Sequence, residues 1–193
     1  MNNVHLFELI NASPGLDPVH LLLAMFLAQW VIYLVALALA VAWVRGDHAS
    51  RGELLQMLTA TLIALLIAHT WPQPRPFALH LGTQYLAHGN DPGLPSDHAT
   101  ALWALALAAL GTRRYPVWGF PLLALGLVVG LSRVYLGVHF PFDIAAALPV
   151  AVAGALAERA LRGPLLPISE RILNHYDRFT LALRAMLHGS NKA

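Results

Sequence analysis

Hydrophobic and polar positions fall in long blocks along this chain. Residues 1–19 mix the two classes: Val4, Leu6, Phe7, Leu9 and Ile10 predict a short interfacial helix or an ordered loop, and Pro14, Gly15 and Pro18 break it before the first long apolar run. From about His20 to Val44 the chain is almost wholly apolar, and its roughly 25 residues suffice to cross a hydrocarbon core of about 30 Å. Arg45–Glu53 is a short charged connection, and a second span is predicted from about Leu54 to Trp71. It should stop there, because Pro72, Pro74 and Pro76 each remove a helix hydrogen bond and restrict the residue before. The segment from 72 to 95 reads as a loop, with a short helix around Leu79–Ala87 and turn chemistry at Gly89-Asn90-Asp91-Pro92-Gly93. Residues 97–111 predict a third helix with Ser96 as its N-cap. It is short for a span and would reach full thickness by including Arg113 or by thinning the bilayer. A fourth span runs from about Val117 to Leu136, and Pro141, suited to a helix's first turn, opens a fifth that ends near Leu161. After Gly163-Pro164, Leu165, Ile168, Ile172, Leu173, Tyr176, Phe179, Leu183 and Leu187 recur at roughly helical spacing among arginines, which predicts an amphipathic tail on the membrane surface.

The expected fold is an all-α integral membrane protein: a bundle of about five transmembrane helices plus an amphipathic C-terminal helix. Residues 1–163 would form a single membrane-embedded domain and 164–193 an interfacial tail. Composition agrees, since 58% hydrophobic residues, 11% charged residues and a mean hydropathy of +0.59 exclude an ordinary soluble domain. A formal charge of +2 and no aromatic-interleaved basic stripe argue against a nucleic-acid partner and leave membrane lipids as the surroundings. Without cysteine there is neither a disulfide framework nor thiolate chemistry. The first nineteen residues hold no Lys or Arg, so a signal peptide's n-region is missing and the first hydrophobic helix is expected to stay in the protein.

Nearly all the cations are arginines, Lys192 being the only lysine. Arg45, Arg51, Arg113, Arg114, Arg159 and Arg162 mark alternate connections, and the positive-inside rule puts those in the cytoplasm. The N-terminus and the other connections, carrying Arg75 and Arg133, then face outward.

Candidate chemistry gathers on that outer side. Ser132–Asp143, SRVYLGVHFPFD, places an arginine, a histidine and an aspartate among apolar segments, where ionisable groups are costly and mark function by default. Leu94–Thr100, LPSDHAT, adds a second histidine beside a serine at a helix start. Arg75 and Arg133 offer planar forks that match phosphate oxygens. The free N–H groups after Ser96 and the helix dipole favour an anion there. Together these make a phosphate cradle in which no metal or cofactor is expected. His139 and Asp143 stand four apart at a helix start, so the carboxylate can accept the imidazole's Nδ1–H and leave Nε2 directed at phosphorus, while His98 as imidazolium protonates the leaving oxygen. Asp97 either complements the helix dipole or orients Arg75 and helps select a diphosphate. His5, His20, His48, His80, His88, His175 and His188 read as ordinary core or interface histidines.

These segments resemble the three signature motifs of the type-2 phosphatidic acid phosphatase superfamily, which are a lysine, six residues and Arg-Pro; Pro-Ser-x-His; and Ser-Arg, five residues, His, three residues, Asp. Pro95–His98 matches the second and Ser132–Asp143 the third. The first is half met: Arg75-Pro76 is present, but Ala68 stands at the lysine position, with His69 and Gln73 as candidate replacements. Within the superfamily the chain looks most like the small bacterial undecaprenyl-diphosphatases of the bacitracin-resistance type. That resemblance implies an isoprenoid lipid diphosphate as substrate, His139 as nucleophile, Asp143 as its orienter, His98 as general acid, and Arg75, Ser96 and Arg133 as phosphate ligands. Three other readings stand beside it. One is a phosphatase or phosphotransferase acting on phosphatidate, phosphatidylglycerophosphate or lipid A. Another is a vanadate haloperoxidase, which the apolar composition disfavours, and the last is a non-catalytic membrane protein, for which Ala68 is the only support.

Overall fold

In the computed structural model, three helices begin by the same chemistry: a short polar side chain accepts N–H groups of the turn ahead. Asn2 Oδ1 accepts from His5 N at 2.8 Å and starts α1 (Asn3–Ile10). Asp17 accepts from Val19 and His20 and starts α2 (Pro18–Met25), with Pro18 in the first turn. Asp47 accepts from Ser50 N at 2.8 Å and starts α4 (His48–Ala68). A π-helical turn, Phe26–Trp30, joins α2 to α3 (Val31–Arg45), so Pro18–Arg45 is one span. Then come α5 (Asp97–Leu110), α6 (Gly119–Tyr135) and α7 (Pro141–Gly189). The structure describes residues 2–71 and 73–189; Pro72, Lys192 and the side chain of His188 lie outside the described residues.

Among the described residues four helices are long and apolar enough to cross a membrane: Pro18–Arg45, His48–Ala68, Pro116–Tyr135 and Pro141–Leu187. The third helix of the sequence, α5, is about 21 Å long at 1.5 Å per residue and stops at Leu110 without taking in Arg113. It lies at the centre, packed by α4, α6 and α7, and buries Ala99, Leu102, Trp103, Ala104, Leu105, Ala106 and Ala109. A helix wrapped by longer ones meets little lipid, so its length need not match the bilayer.

Four details differ from the pattern read along the chain. The N-terminal segment is helical but not a free interfacial element: Phe7 is fully buried, its ring 5.4 Å from that of Phe140. The second span ends at Ala68, before Trp71. No helix forms around Leu79–Ala87; there is only a 3₁₀ turn, Pro76–Leu79, because His80 and Gly82 take positive φ (56° and 65°) and reverse the chain. Gly163-Pro164 is not a structural break, and α7 runs through Pro149, Pro164 and Pro167. Each proline removes one N–H while neighbouring turns keep theirs, and packing holds both sides. Buried Glu158 accepts from Arg162 (3.1 and 2.9 Å), Leu173 is buried, and Asp177 is met by Arg51 Nη1 at 2.6 Å and His48 Nδ1 at 2.7 Å.

The α6–α7 connection sets up the site. Gly137, at φ 81°, takes the left-handed position after α6, and the N–H groups of Gly137 and Val138 return to the carbonyls of Val134 and Arg133. This glycine-terminated cap turns the chain within five residues, from the end of Arg133's helix to the start of Asp143's. Ser96 N then donates to Asp143 O at 3.1 Å, which brings the start of α5 against the start of α7.

Candidate active site

His139 and Asp143 come together at the head of α7, and both side chains are 1% exposed. His139 Nδ1 lies 3.3 Å from Asp143 Oδ2, which also accepts Phe140 N at 2.8 Å. The backbone bond fixes the carboxylate, and the carboxylate fixes the ring. Burial, then the positive charges of Arg133 and Arg75, hold His139 well below the ordinary imidazole range. The ring is therefore neutral around pH 7, with Nδ1–H on Asp143 and a lone pair at Nε2. With ¹⁵N-labelled histidine, the His139 resonances should stay those of the neutral ring from pH 8 down to pH 5. A titration centred near 6.5 would mean that burial does not govern this group.

Arg75 is buried and all five of its N–H positions have protein acceptors. Nε donates to Asp91 O (3.0 Å), and Nη1 to Val138 O (3.1 Å) and His139 Nε2 (3.0 Å), lying also 3.4 Å from Nδ1. Nη2 donates to Asp91 Oδ2 and Pro92 O, both at 3.1 Å. The open fork expected from the sequence is closed here on the Nε2 lone pair of His139 and on the 91–92 turn. Gly93 permits this packing, since a Cβ there would stand 3.0 Å from Arg75 Cγ.

The other expected residues surround this pair. Arg133 is buried; its Nη1 donates to Ala28 O at 3.1 Å, in the π-helical turn of the first span, and its Nε has no partner. Ser96 occupies the N-cap position of α5 but makes no capping bond: its hydroxyl is buried without a partner, as is that of Thr100 one turn on. Buried donors left unpaired are unfavourable by about 1–3 kcal/mol each, so Arg133 Nε, whose charge reaches His139, and the Ser96 hydroxyl, on the residue whose N–H bonds Asp143 O, fit an anion that would pair them; Asp143 Oδ1 is also buried without a partner. His98, half-buried in the first turn of α5, lies within electrostatic reach of His139; burial, then Arg133, push its ring down to about 3, so in the free protein it is neutral and not the imidazolium expected from the sequence. Asp97 does not touch Arg75; its charge reaches Arg133, and the carboxylate on Arg75 is Asp91. Neither proposed substitute for the motif lysine enters the site. His69 is exposed with Nδ1 3.1 Å from Leu65 O, and Gln73 meets the loop through its carbonyl, which accepts Gly93 N. Ala68 is packed in the core. Among the described residues no group of three His, Cys, Asp or Glu could hold a metal ion.

Sequence reasoning missed three residues here: Thr100 carries no signal, His88 reads as an ordinary histidine and Asp91 as turn chemistry. His88 stands with its ring 6.4 Å from that of His139, and Asp91 bonds Arg75. Their only signal was two ionisable residues three apart, just before Pro95-Ser96, in a stretch whose glycines and proline read as a turn.

The profile of the PAP2 superfamily matches residues 53–163. The chain is 37% identical over 164 residues to "Putative undecaprenyl-diphosphatase YbjG" of Escherichia coli (strain K12), covering 82% of each protein. It is 31% identical over 154 residues to "Undecaprenyl-diphosphatase BcrC" of Bacillus subtilis (strain 168), covering 78% of this chain and 79% of that one. The crystal structure of Aquifex aeolicus LpxE shares the fold at a TM-score of 0.60 and 19% identity, covering 82% of this chain and 94% of that one.

Proposed function

The chain belongs to the PAP2 superfamily and is a multi-pass membrane protein, and on that premise we propose that it removes the terminal phosphate of undecaprenyl diphosphate, leaving undecaprenyl phosphate. The observation that carries the reading is the buried, neutral His139, oriented by Asp143, with the charge of Arg133, whose Nε lacks a partner, reaching it and the unpaired Ser96 hydroxyl on the residue bonded to Asp143. That is a nucleophile set in an anion cradle. The names of the two relatives supply the substrate class.

In the first step Nε2 of His139 attacks the terminal phosphorus. Arg75 Nη1 passes from the ring to a phosphate oxygen, the bond from phosphorus to the bridging oxygen breaks, and His98, which takes up a proton with the incoming diphosphate's negative charge, gives it to the departing lipid phosphate. Arg133, Ser96 and the N–H groups at the start of α5 hold the equatorial oxygens. In the second step water attacks the phosphohistidine, His98 takes its proton, the P–N bond breaks and inorganic phosphate leaves. The distribution of arginines supports an active site on the outer face of the cytoplasmic membrane, where the released lipid phosphate returns to carrier use in cell-wall synthesis. The residues beyond Asp177, with Phe179, Leu181, Met186 and Leu187 exposed, are suited to lie in the opposite, cytoplasmic interface.

The test is phosphate release by the purified protein in detergent, with undecaprenyl diphosphate and phosphatidate compared at equal surface concentration and EDTA present. A kcat/KM at least about tenfold higher for the diphosphate is expected. Preference for phosphatidate would keep the mechanism and overturn the substrate.

A further inference from the structure

Arg75 can hold a phosphate oxygen only if one of its present acceptors leaves. Three of the five are backbone carbonyls, of Asp91, Val138 and Pro92, and a fourth, Nε2 of His139, is given up only as it attacks phosphorus. The fifth is the side chain of Asp91, which is 51% exposed, against 2% for Arg75. It sits in the Gly89-Asn90-Asp91-Pro92-Gly93 turn and can swing into water at little cost.

That carboxylate is shared. Its Oδ2 takes Arg75 Nη2 at 3.1 Å, and its Oδ1 lies 3.3 Å from Nδ1 of His88. Nδ1 of His88 also lies 3.1 Å from Gly89 O. Two acceptors at Nδ1 place the hydrogen there, and Nε2 has no protein partner among the described residues. A guanidinium and an imidazole thus hold one anion directly beside the nucleophile, and the His88 and His139 rings stand edge to face at 72°. The same two donors in the same arrangement would hold a phosphate.

Resting on the phosphatase reading, we propose that His88 is a further phosphate-binding residue of this site and that Asp91 occupies its anion position until a phosphate arrives. A carboxylate and a phosphate cannot share the Arg75–His88 pair, since like charges at contact repel strongly in a partly buried setting. The phosphate, with more charge and additional donors at Ser96 and Arg133, displaces Asp91. Burial, then Arg75, hold His88 below the ordinary imidazole range in the free protein. Arrival of the more highly charged phosphate favours the protonated ring, so that Nε2 also becomes a donor. Burial works against ionisation of Asp91, but its backbone hydrogen bond and Arg75 outweigh it, so Asp91 is an anion in the free protein.

Binding of inorganic phosphate to the full-length protein in detergent, followed by calorimetry, tests this without turnover. Asp91→Asn, which removes the competing charge but keeps the shape, should bind phosphate about tenfold more tightly, and His88→Ala about tenfold more weakly. In turnover, His88→Ala should act mainly through KM. A residue that merely braced the loop would lower the melting temperature and kcat without moving the phosphate Kd. Unchanged affinity in His88→Ala, weaker binding in Asp91→Asn, or no phosphate binding by any form at 10 mM (roughly the weak limit calorimetry reads) would overturn the proposal. If the two Kd values shift as expected while the protein releases nothing from a lipid diphosphate, the substrate reading fails and the anion site stands. If the lipid is cleaved and the Kd values do not move, the reverse holds.

Discussion

Replacing His139 by alanine should lower phosphate release from undecaprenyl diphosphate by roughly ten-thousandfold or more, the scale on which removal of an attacking group acts in covalent catalysis. The argument is one of position and protonation. His139 is the ring whose Nδ1 is committed to a fixed carboxylate and whose environment keeps Nε2 unprotonated, while Arg75 marks where an oxygen of the bound phosphate would lie. The substitution also removes an acceptor from buried Arg75, a loss of about 1–3 kcal/mol in stability. His139→Gln is therefore the control: its side-chain oxygen can accept from Arg75, so it should melt close to the wild type and remain inactive. Single-turnover phosphate release at matched folded fraction gives the answer, and a residual rate within about a hundredfold of wild type in either variant would refute the nucleophile assignment.

What the sequence made legible follows from how directly each feature depends on spacing. The spans are written as apolar blocks, and the His139–Asp143 contact as a four-residue interval at a helix start, so both survive translation into three dimensions. The surroundings of His139 are assembled from three segments, and the motif spacings were enough to bring Arg133 and His98 within electrostatic reach of it. Arg75 was found but its setting was not: nothing in a run of prolines indicates that the arginine will be closed on a turn sixteen residues later. His88 and Asp91 were hidden for the complementary reason. Turn residues explain themselves locally, and only the path forced by positive φ at His80 and Gly82 lays that turn over the site. The uninterrupted α7 was also illegible, because Gly163-Pro164 is a stop signal by propensity and the contacts that override it join Asp177 to His48 and Arg51, more than a hundred residues earlier in sequence. Propensity is local and packing is not.

His98→Ala should separate the two chemical steps. For undecaprenyl diphosphate the group leaving in the first step is a phosphate ester, which departs as an anion and needs little help from an acid. For phosphatidate it is an alkoxide, which needs a proton. Loss of His98 should then slow the first step on phosphatidate by roughly a hundred- to ten-thousandfold, the usual range for general acid catalysis, and on the diphosphate far less. The second step is common to both substrates and loses the base that accepts the proton of water. With the diphosphate the variant should therefore form the phosphohistidine quickly and hydrolyse it slowly, giving a burst of lipid phosphate close to one equivalent followed by a slow steady state. Labelling with terminal ³²P and quenching in alkali, where phosphoramidates survive, should recover about one equivalent of label on the protein. The double variant with His139→Ala should carry none. A His98→Ala protein that loses the burst along with the steady state on the diphosphate would place His98 in binding or in the first step for every leaving group. A protein that keeps full turnover would remove it from the mechanism, and the second-step base would then have to be sought at His88, the other imidazole close enough for its charge to reach His139.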